Sequence, residues 1–364
     1  MSAPKILRYD PAPDRRLLVV SDIHGNLPYL EGVLHKADFS QRDELIVAGD
    51  FLEKGSESLK TLRFLMELSR QGNTHVLCGN CDDWYDIFRP DWDPRGDAKV
   101  LQYMLWRKSG LLWDMVLAAG GDPSGIRDFT AEKQRLLRAF PEEWAFLQEL
   151  PHALETDRFV FVHAGMRPDK PLEEHTMEEL VRVEHFLTRD RRFDRWVVVG
   201  HWPVVLYGTD RVCANPIIDR EKHIVSIDGG CVLKDDGQLN CLILPHRDSE
   251  DFDFVAYDPF PERTVLDAQE AGERSYYIRW GDSNVQVLSR GPEFSRCRHL
   301  RTGYEMDILS KYLFTGDEIT DCNDCTDTVL RLRPGDRVSV VETCSRGFFV
   351  KHRGVSGWYY GRLQ

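Results

Sequence analysis

An aspartate and a histidine one residue apart, Asp22 and His24, stand where the apolar run Leu17-Leu18-Val19-Val20 stops. A carboxylate oxygen and an imidazole nitrogen this close can share one divalent cation. The construction recurs along the chain. Glu44-Leu45-Ile46-Val47-Ala48 ends in Gly49-Asp50, and His75-Val76-Leu77-Cys78 ends in Gly79-Asn80-Cys81-Asp82. Arg158-Phe159-Val160-Phe161-Val162 ends in His163, and Trp196-Val197-Val198-Val199 ends in Gly200-His201. Any one of these donors fits a buried side chain satisfied by hydrogen bonds. Six of them at five run ends point instead to a shared cation site.

The elements that must carry them follow from periodicity. The apolar runs read as buried strands, and Leu27 to Ala37 and Ser58 to Arg70 have helical spacing of apolar residues. Strands alternating with helices imply a largely parallel sheet, which gathers ligands at its carboxyl ends. Trp84 to Leu150 is rich in Trp, Leu and Arg, and it reads as a helical excursion, either a wall of the site or plain packing. His223 to Ile227 and Leu239 to Leu244 read as strands flanking Asp228-Gly229-Gly230-Cys231, a loop expected near the site. Tyr276 to Trp280 and Val285 to Leu288 bracket Gly281-Asp282 as an expected hairpin.

A chain of 364 residues, 42% hydrophobic and 29% charged, has room for one large domain and a smaller one. The expected division is 1–245 (with a helical insertion at 84–150), a β-rich connection at 246–327, and a small all-β domain at 328–364. A net charge of −13 argues against a nucleic-acid or anionic-membrane partner. Met1 to Arg16 lacks a secretory h-region, and nine scattered cysteines suit reduced thiols, so a cytoplasmic setting is expected.

The ordered set Ser21-Asp22-Ile23-His24-Gly25, Gly49-Asp50, Gly79-Asn80, His163-Ala164-Gly165 and Gly200-His201 resembles the calcineurin-like metallophosphoesterases. Gly49-Asp50-Phe51-Leu52-Glu53-Lys54-Gly55 and Phe161-Val162-His163-Ala164-Gly165-Met166-Arg167-Pro168 are most similar to the bacterial serine/threonine protein phosphatase group, as is Ile227-Asp228-Gly229-Gly230-Cys231. The resemblance covers roughly Leu17 to Leu244. It implies an α/β fold of two facing sheets flanked by helices. It also implies two metals bridged by Asp50, one completed by Asp22 and His24, the other by Asn80, His163 and His201. Mixed Asp, Asn and His ligation suits Mn²⁺ first, with Fe or Zn²⁺ also compatible. Two such ions, roughly 3.5–4 Å apart, would ionise a bridging water for in-line attack on phosphorus.

Departures from the family pattern fall beside the ligands. Where the protein phosphatases have Gly-Asn-His-Glu, this chain has Gly79-Asn80-Cys81-Asp82, so a thiol replaces the protonating imidazole. Their Asp-Arg-Gly is Glu53-Lys54-Gly55, which keeps the charges and loses the guanidinium fork. Asp50, Glu53, Cys81 and Asp82 are the expected catalytic group, and Lys54 and Arg167 the expected phosphate contacts. The substrate expected first is a phosphomonoester of a protein or small molecule. A dinucleoside polyphosphate or a phosphodiester on the same site is the alternative, and a non-catalytic scaffold of the same fold is the reading from another class. Cys78, Cys81, Cys322 and Cys325 have the spacing of a four-thiolate zinc site. The tail, Arg331 to Leu363, resembles a bacterial SH3-like barrel. Its aromatic residues would serve either as a peptide or glycan platform or as the barrel's own core.

Overall fold

The computed structural model describes residues 3–364. The chain forms two units, the first made of 1–202, 216–233 and 238–257, the second of 203–215, 234–237 and 258–364.

The first unit is a two-sheet sandwich. Its strands are β1 (Ile6–Arg8), β2 (Leu17–Val20), β3 (Glu44–Val47), β4 (Thr74–Val76), β5 (Ala153–Glu155), β6 (Phe159–Val162) and β7 (Trp196–Val199). After β8 (Val212–Cys213), which belongs to the second unit, come β9 (Ile217–Asp219), β10 (Ile224–Ser226), β11 (Leu239–Leu244) and β12 (Asp253–Tyr257). One sheet has the order β12-β11-β2-β3-β4, the other β1-β5-β6-β7-β10-β9. The strands that carry the donors run parallel within each sheet, β2 with β3 with β4 and β6 with β7. Their carboxyl ends therefore lie on one side.

Alternation along each strand supplies both faces of the sandwich. Leu17, Val19 and Ile46 meet Phe159, Phe161, Trp196 and Val198 in the layer between the sheets. Leu18, Val20, Leu45 and Val47 turn the other way, under the helices. A strand covered on both sides has no face left for polar residues, which is why these runs are apolar throughout. Each such side chain, fully buried, is worth about 1.5–3 kcal/mol.

Helices α1 (Leu27–Lys36) and α2 (Ser58–Arg70) cover that face. Segment 84–150 contributes α3 (Arg95–Arg107), α4 (Leu111–Ala118), α5 (Phe129–Ala139) and α6 (Pro141–Glu149), and α7 (Met177–Val181) follows β6. A buried ion pair ties α3 to α5, with Lys133 Nζ 2.8 Å from Asp97 Oδ1. Thr130 and the Trp92 indole also donate to the Asp97 carboxylate. Among the described residues no helix is long and apolar enough to cross a membrane.

The second unit is all-β. Besides β8 it holds β13 (Glu262–Thr264), β14 (Tyr277–Ile278), β15 (Asn284–Ser289), β16 (Phe294–His299), β17 (Glu305–Leu309), β18 (Ile319–Asp321), β19 (Cys325–Thr326), β20 (Arg337–Cys344), β21 (Gly347–His352) and β22 (Val355–Tyr359). The order β13-β20-β21-β22-β8 makes one sheet and β17-β16-β15-β18 another. Trp358 is spent inside this unit, where its Nε1–H donates to Thr326 O and its ring packs on Phe294 and Phe349. The expected hairpin around Gly281-Asp282 does not form. β14 pairs with β19 and β15 with β16 and β18, and only Arg279 bridges Asp282 across the turn. Val285 and Val287 are buried with Cys297 and Ile308, because β15 turns back with the following strand β16 and not with β14, so the hairpin lies one turn later than the Gly281-Asp282 signal.

Candidate metal centre

Asp22, His24, Asp50, Asn80, His163 and His201 lie just past the carboxyl ends of β2, β3, β4, β6 and β7, where the two sheets present the same edge. His24 Nε2 is 3.8 Å from Asp22 Oδ1 and 4.0 Å from Asp50 Oδ2. His163 Nε2 is 3.3 Å from Asp50 Oδ1 and 3.1 Å from Asn80 Oδ1. The His201 ring stands edge-on to that of His163, 5.0 Å between centres, and the His201 backbone N–H donates to Asp22 Oδ2 at 2.9 Å. Two sets of donor atoms each fall within 4.8 Å: His24, Asp50 and Cys81, and Asp50, His163 and His201. Asp50 belongs to both, the position a bridging carboxylate requires.

Backbone carbonyls fix the imidazoles. Leu52 O is 3.3 Å from His24 Nδ1, and Ala48 O is 3.0 Å from His163 Nδ1. A carbonyl can only accept, so Nδ1 carries a proton in both rings, and His24 Nε2 is turned to the cluster with its lone pair available. Two buried atoms there, Asp22 Oδ1 and His24 Nε2, have no hydrogen-bond partner. Leaving one such atom bare costs about 1–3 kcal/mol. A carboxylate oxygen and an imidazole nitrogen 3.8 Å apart, both unsatisfied, fit a cation better than any protein donor.

The charges agree. Burial pushes Asp22 up to about 6 despite the opposing charge of His163. Burial also acts to raise Asp50, but the His163 charge and hydrogen bond outweigh it and hold that carboxyl well below the usual range. His163 is held at about 9, its burial overcome by Asp50. Burial takes His24 and His201 down to about 3, so both are neutral imidazoles, the form that ligates. A cation taking the His163 side must displace that ring's proton.

The backbone is strained here. Asp22, His24, Asp50, Glu53, Lys54 and His201 all have φ between 51° and 66°, at about 1–3 kcal/mol for each such residue. Two glycines let the turns close. A Cβ on Gly79 would lie 2.2 Å from Asp50 Oδ1, and one on Gly200 2.1 Å from Asp22 Oδ2.

The remaining residues singled out by sequence have distinct places. Asp82 is buried and acts on backbone: Oδ2 accepts from Asp50 N and Gly79 N, and Oδ1 from Leu52 N. Glu53 is buried and faces the helical segment, accepting from Leu111 N at 2.8 Å and Tyr103 OH at 3.0 Å. It caps the amino end of α4, where the helix dipole favours a carboxylate. Lys54 is half-buried. Burial works to lower its pKa, but the Cys81, Asp50, Asp22 and Asp228 groups around it prevail and raise it, so an ammonium is kept beside the cluster. Arg107 donates to Lys54 O at 2.7 Å. Arg167 is drawn elsewhere, its guanidinium forked onto the exposed Asp169. Cys78 is buried with its Sγ on Gly79 O, while Cys81 joins the donor cluster. Cys322 and Cys325 are buried in a core of the second unit. No group of three or more of these four cysteines comes together among the described residues.

Tyr103 and Arg182 gave no signal in the sequence, and Asp228 gave only a loop near the site. Tyr103 lies in a helix whose contact with Glu53 is tertiary. Asp228 is fully buried and keeps one oxygen without a partner. Arg182, just past α7, lines a cleft of about 410 Å³ with Asp83, Arg89, Trp92 and Met177. Its charge also acts on His201 and Asp83.

Comparison with known proteins agrees with this geometry. The family profile described as calcineurin-like phosphoesterase matches residues 15–222. The chain is 25% identical over 263 residues to a symmetrical bis(5'-nucleosyl)-tetraphosphatase of Vibrio campbellii, covering 68% of this chain and 80% of that one. It is 23% identical over 239 residues to the asymmetrical bis(5'-nucleosyl)-tetraphosphatase PrpE of Oceanobacillus iheyensis, covering 59% and 83%. A protein serine/threonine phosphatase from Saccharomyces cerevisiae is similar in structure, at 12% identity and a TM-score of 0.41, covering 71% of this chain and 84% of that one. With the profile spanning more than half the chain and the donors converging on a shared carboxylate, this protein belongs to the calcineurin-like phosphoesterase family of hydrolases, whose members depend on a binuclear metal centre.

Proposed function

We propose that this protein hydrolyses phosphoanhydride bonds of the dinucleoside polyphosphate type, with phosphomonoesters of good leaving groups as secondary substrates. Two divalent cations held by Asp22, His24 and Asp50 and by Asp50, Asn80, His163 and His201 would supply an ionised water and neutralise phosphoryl oxygens. The chain supplies the rest. Lys54 meets the phosphoryl charge with an ammonium, and Asp82 holds the turns at Asp50 and Gly79 in register. Glu53 fixes the helical wall through Tyr103 and Leu111.

One observation carries the preference for anhydrides over alkyl esters. The side chain at position 81, next to the ligand Asn80, is a thiol, and burial followed by the Asp50 charge pushes it well above its ordinary range. Such a group is a weaker general acid than an imidazolium at neutral pH, and general acid catalysis typically contributes about 10²–10⁴-fold. A polyphosphate leaves as a stabilised anion and needs no such help. The relatives named for tetraphosphatase activity support the same class. The complete donor set speaks against a scaffold without chemistry.

The test is kcat/KM, with Mn²⁺ added, for diadenosine tetraphosphate, an aryl phosphate and a phosphoserine peptide. The first two should exceed the third by about 10²-fold or more, the range that a missing acid predicts. Equal rates on the phosphoserine peptide would overturn the reading in favour of a protein phosphatase.

A further inference from the structure

We propose that the Cys81 side chain is itself a metal ligand, a thiolate on the cation that His24 and Asp50 hold. The inference rests on the metal-centre reading and adds to its six donors a seventh of different chemistry. Three distances carry it. Cys81 Sγ, His24 Nε2 and a carboxylate oxygen of Asp50 lie within 4.8 Å of one another. The Cys81 backbone N–H donates to Asp50 Oδ1 at 2.8 Å, so the residue is pinned to the bridging carboxylate rather than passing near it. Asn80 Nδ2–H points at the sulfur at 3.3 Å, a donor suited to a thiolate. On the other side of the gap, buried His24 Nε2 has no hydrogen-bond partner.

Sulfur changes what the position selects. Imidazole and carboxylate oxygen accept Mn²⁺, Fe²⁺ and Zn²⁺ alike, the later ions more tightly, and a thiolate adds a further preference for the softer zinc and iron. The thiol proton passes to solvent as the sulfur–metal bond forms, so binding releases one more proton than an all-nitrogen and oxygen set would. The His24 side of Asp50 is then thiophilic, while the Asn80–His163–His201 side has no sulfur. The centre is built to hold two different cations, zinc or ferrous iron on the first side and a harder ion such as Mn²⁺ on the second.

Cobalt reports this directly. Apo-protein from the full chain is titrated with Co²⁺, and the near-ultraviolet spectrum is followed for sulfur-to-cobalt charge transfer. The band should appear in wild type and vanish in Cys81→Ser, whose Zn²⁺ affinity should fall by roughly 10–100-fold, the loss typical of a disrupted metal shell. Its Mn²⁺ affinity should move less than about threefold, because oxygen and nitrogen donors dominate that ion. If Cys81→Ser does not fold, the wild-type spectrum decides alone, since Co²⁺ bound without the band overturns the assignment. Persistence of the band in Cys81→Ser does the same by tracing it to another thiol. Failure of the wild type to bind any cation overturns the metal centre itself, an outcome distinct from the other two.

Discussion

Asp82 Oδ2 accepts the backbone N–H of Asp50 at 2.6 Å. The same oxygen takes Gly79 N at 2.8 Å, and Oδ1 takes Leu52 N at 3.0 Å. One buried carboxylate thus locks the turn that presents the bridging ligand to the turn that presents Asn80. Replacing Asp82 by Asn puts an NH₂ against at least one of these N–H groups. Stability should fall by about 1–3 kcal/mol per unsatisfied donor. Metal affinity should fall by roughly 10–100-fold, as for other groups that orient ligands. Calorimetry and Mn²⁺ titration of the variant check both; unchanged affinity would make Asp82 a purely structural clamp.

Asp50 is the donor common to both atom sets. Asp50→Asn should abolish turnover and lower the metal content of purified protein while the far-ultraviolet circular dichroism stays that of wild type. Elemental analysis together with a kinetic assay reads the result, and near-normal activity would sink the bridging assignment.

Glu53 is pushed up to about 7, mainly by burial. Between its ordinary value of 4.5 and 7 the unfolded chain has already lost this proton while the folded chain keeps it. Stability therefore falls as pH rises through that window and is fully present only below it. The span corresponds to about 3 kcal/mol. Glu53→Gln should flatten this part of the stability profile of metal-free protein and be relatively more stable at pH 8 than at pH 5. Chemical denaturation across pH 4–8 measures it, and parallel profiles for the two proteins would contradict it.

The Asp97–Lys133 pair sits inside the helical segment with both partners buried. Removing one partner as Lys133→Met leaves a buried carboxylate uncompensated and should cost about 3–5 kcal/mol. The double variant Asp97→Asn with Lys133→Met should recover much of that loss, because the surviving charge is gone. A cycle of urea midpoints tests this, and additive losses would show that the two residues act independently.

Much of the site was legible because its chemistry is written at strand ends. Apolar runs of four or five residues, each stopped by Asp, Asn or His, specify buried strands and the side where their donors emerge. The two helices Leu27–Lys36 and Ser58–Arg70 follow from apolar spacing alone. What the sequence by itself determined was therefore the set of donors, their order and their attachment to a sheet.

Only the tertiary structure decided how the neighbours divide their roles. Arg167 looked like a phosphate clamp and forks onto Asp169, because an exposed guanidinium takes the nearest carboxylate. Glu53 and Asp82 were grouped with the reacting residues, yet both are buried with their oxygens on backbone N–H groups or a tyrosine hydroxyl. Tyr103 reaches Glu53 across fifty positions of sequence. The physical reason is the same in each case. A donor at the end of a strand is placed by local backbone geometry, whereas the partner of a buried charge is whatever distant group desolvation brings within reach, and no local pattern encodes that distance.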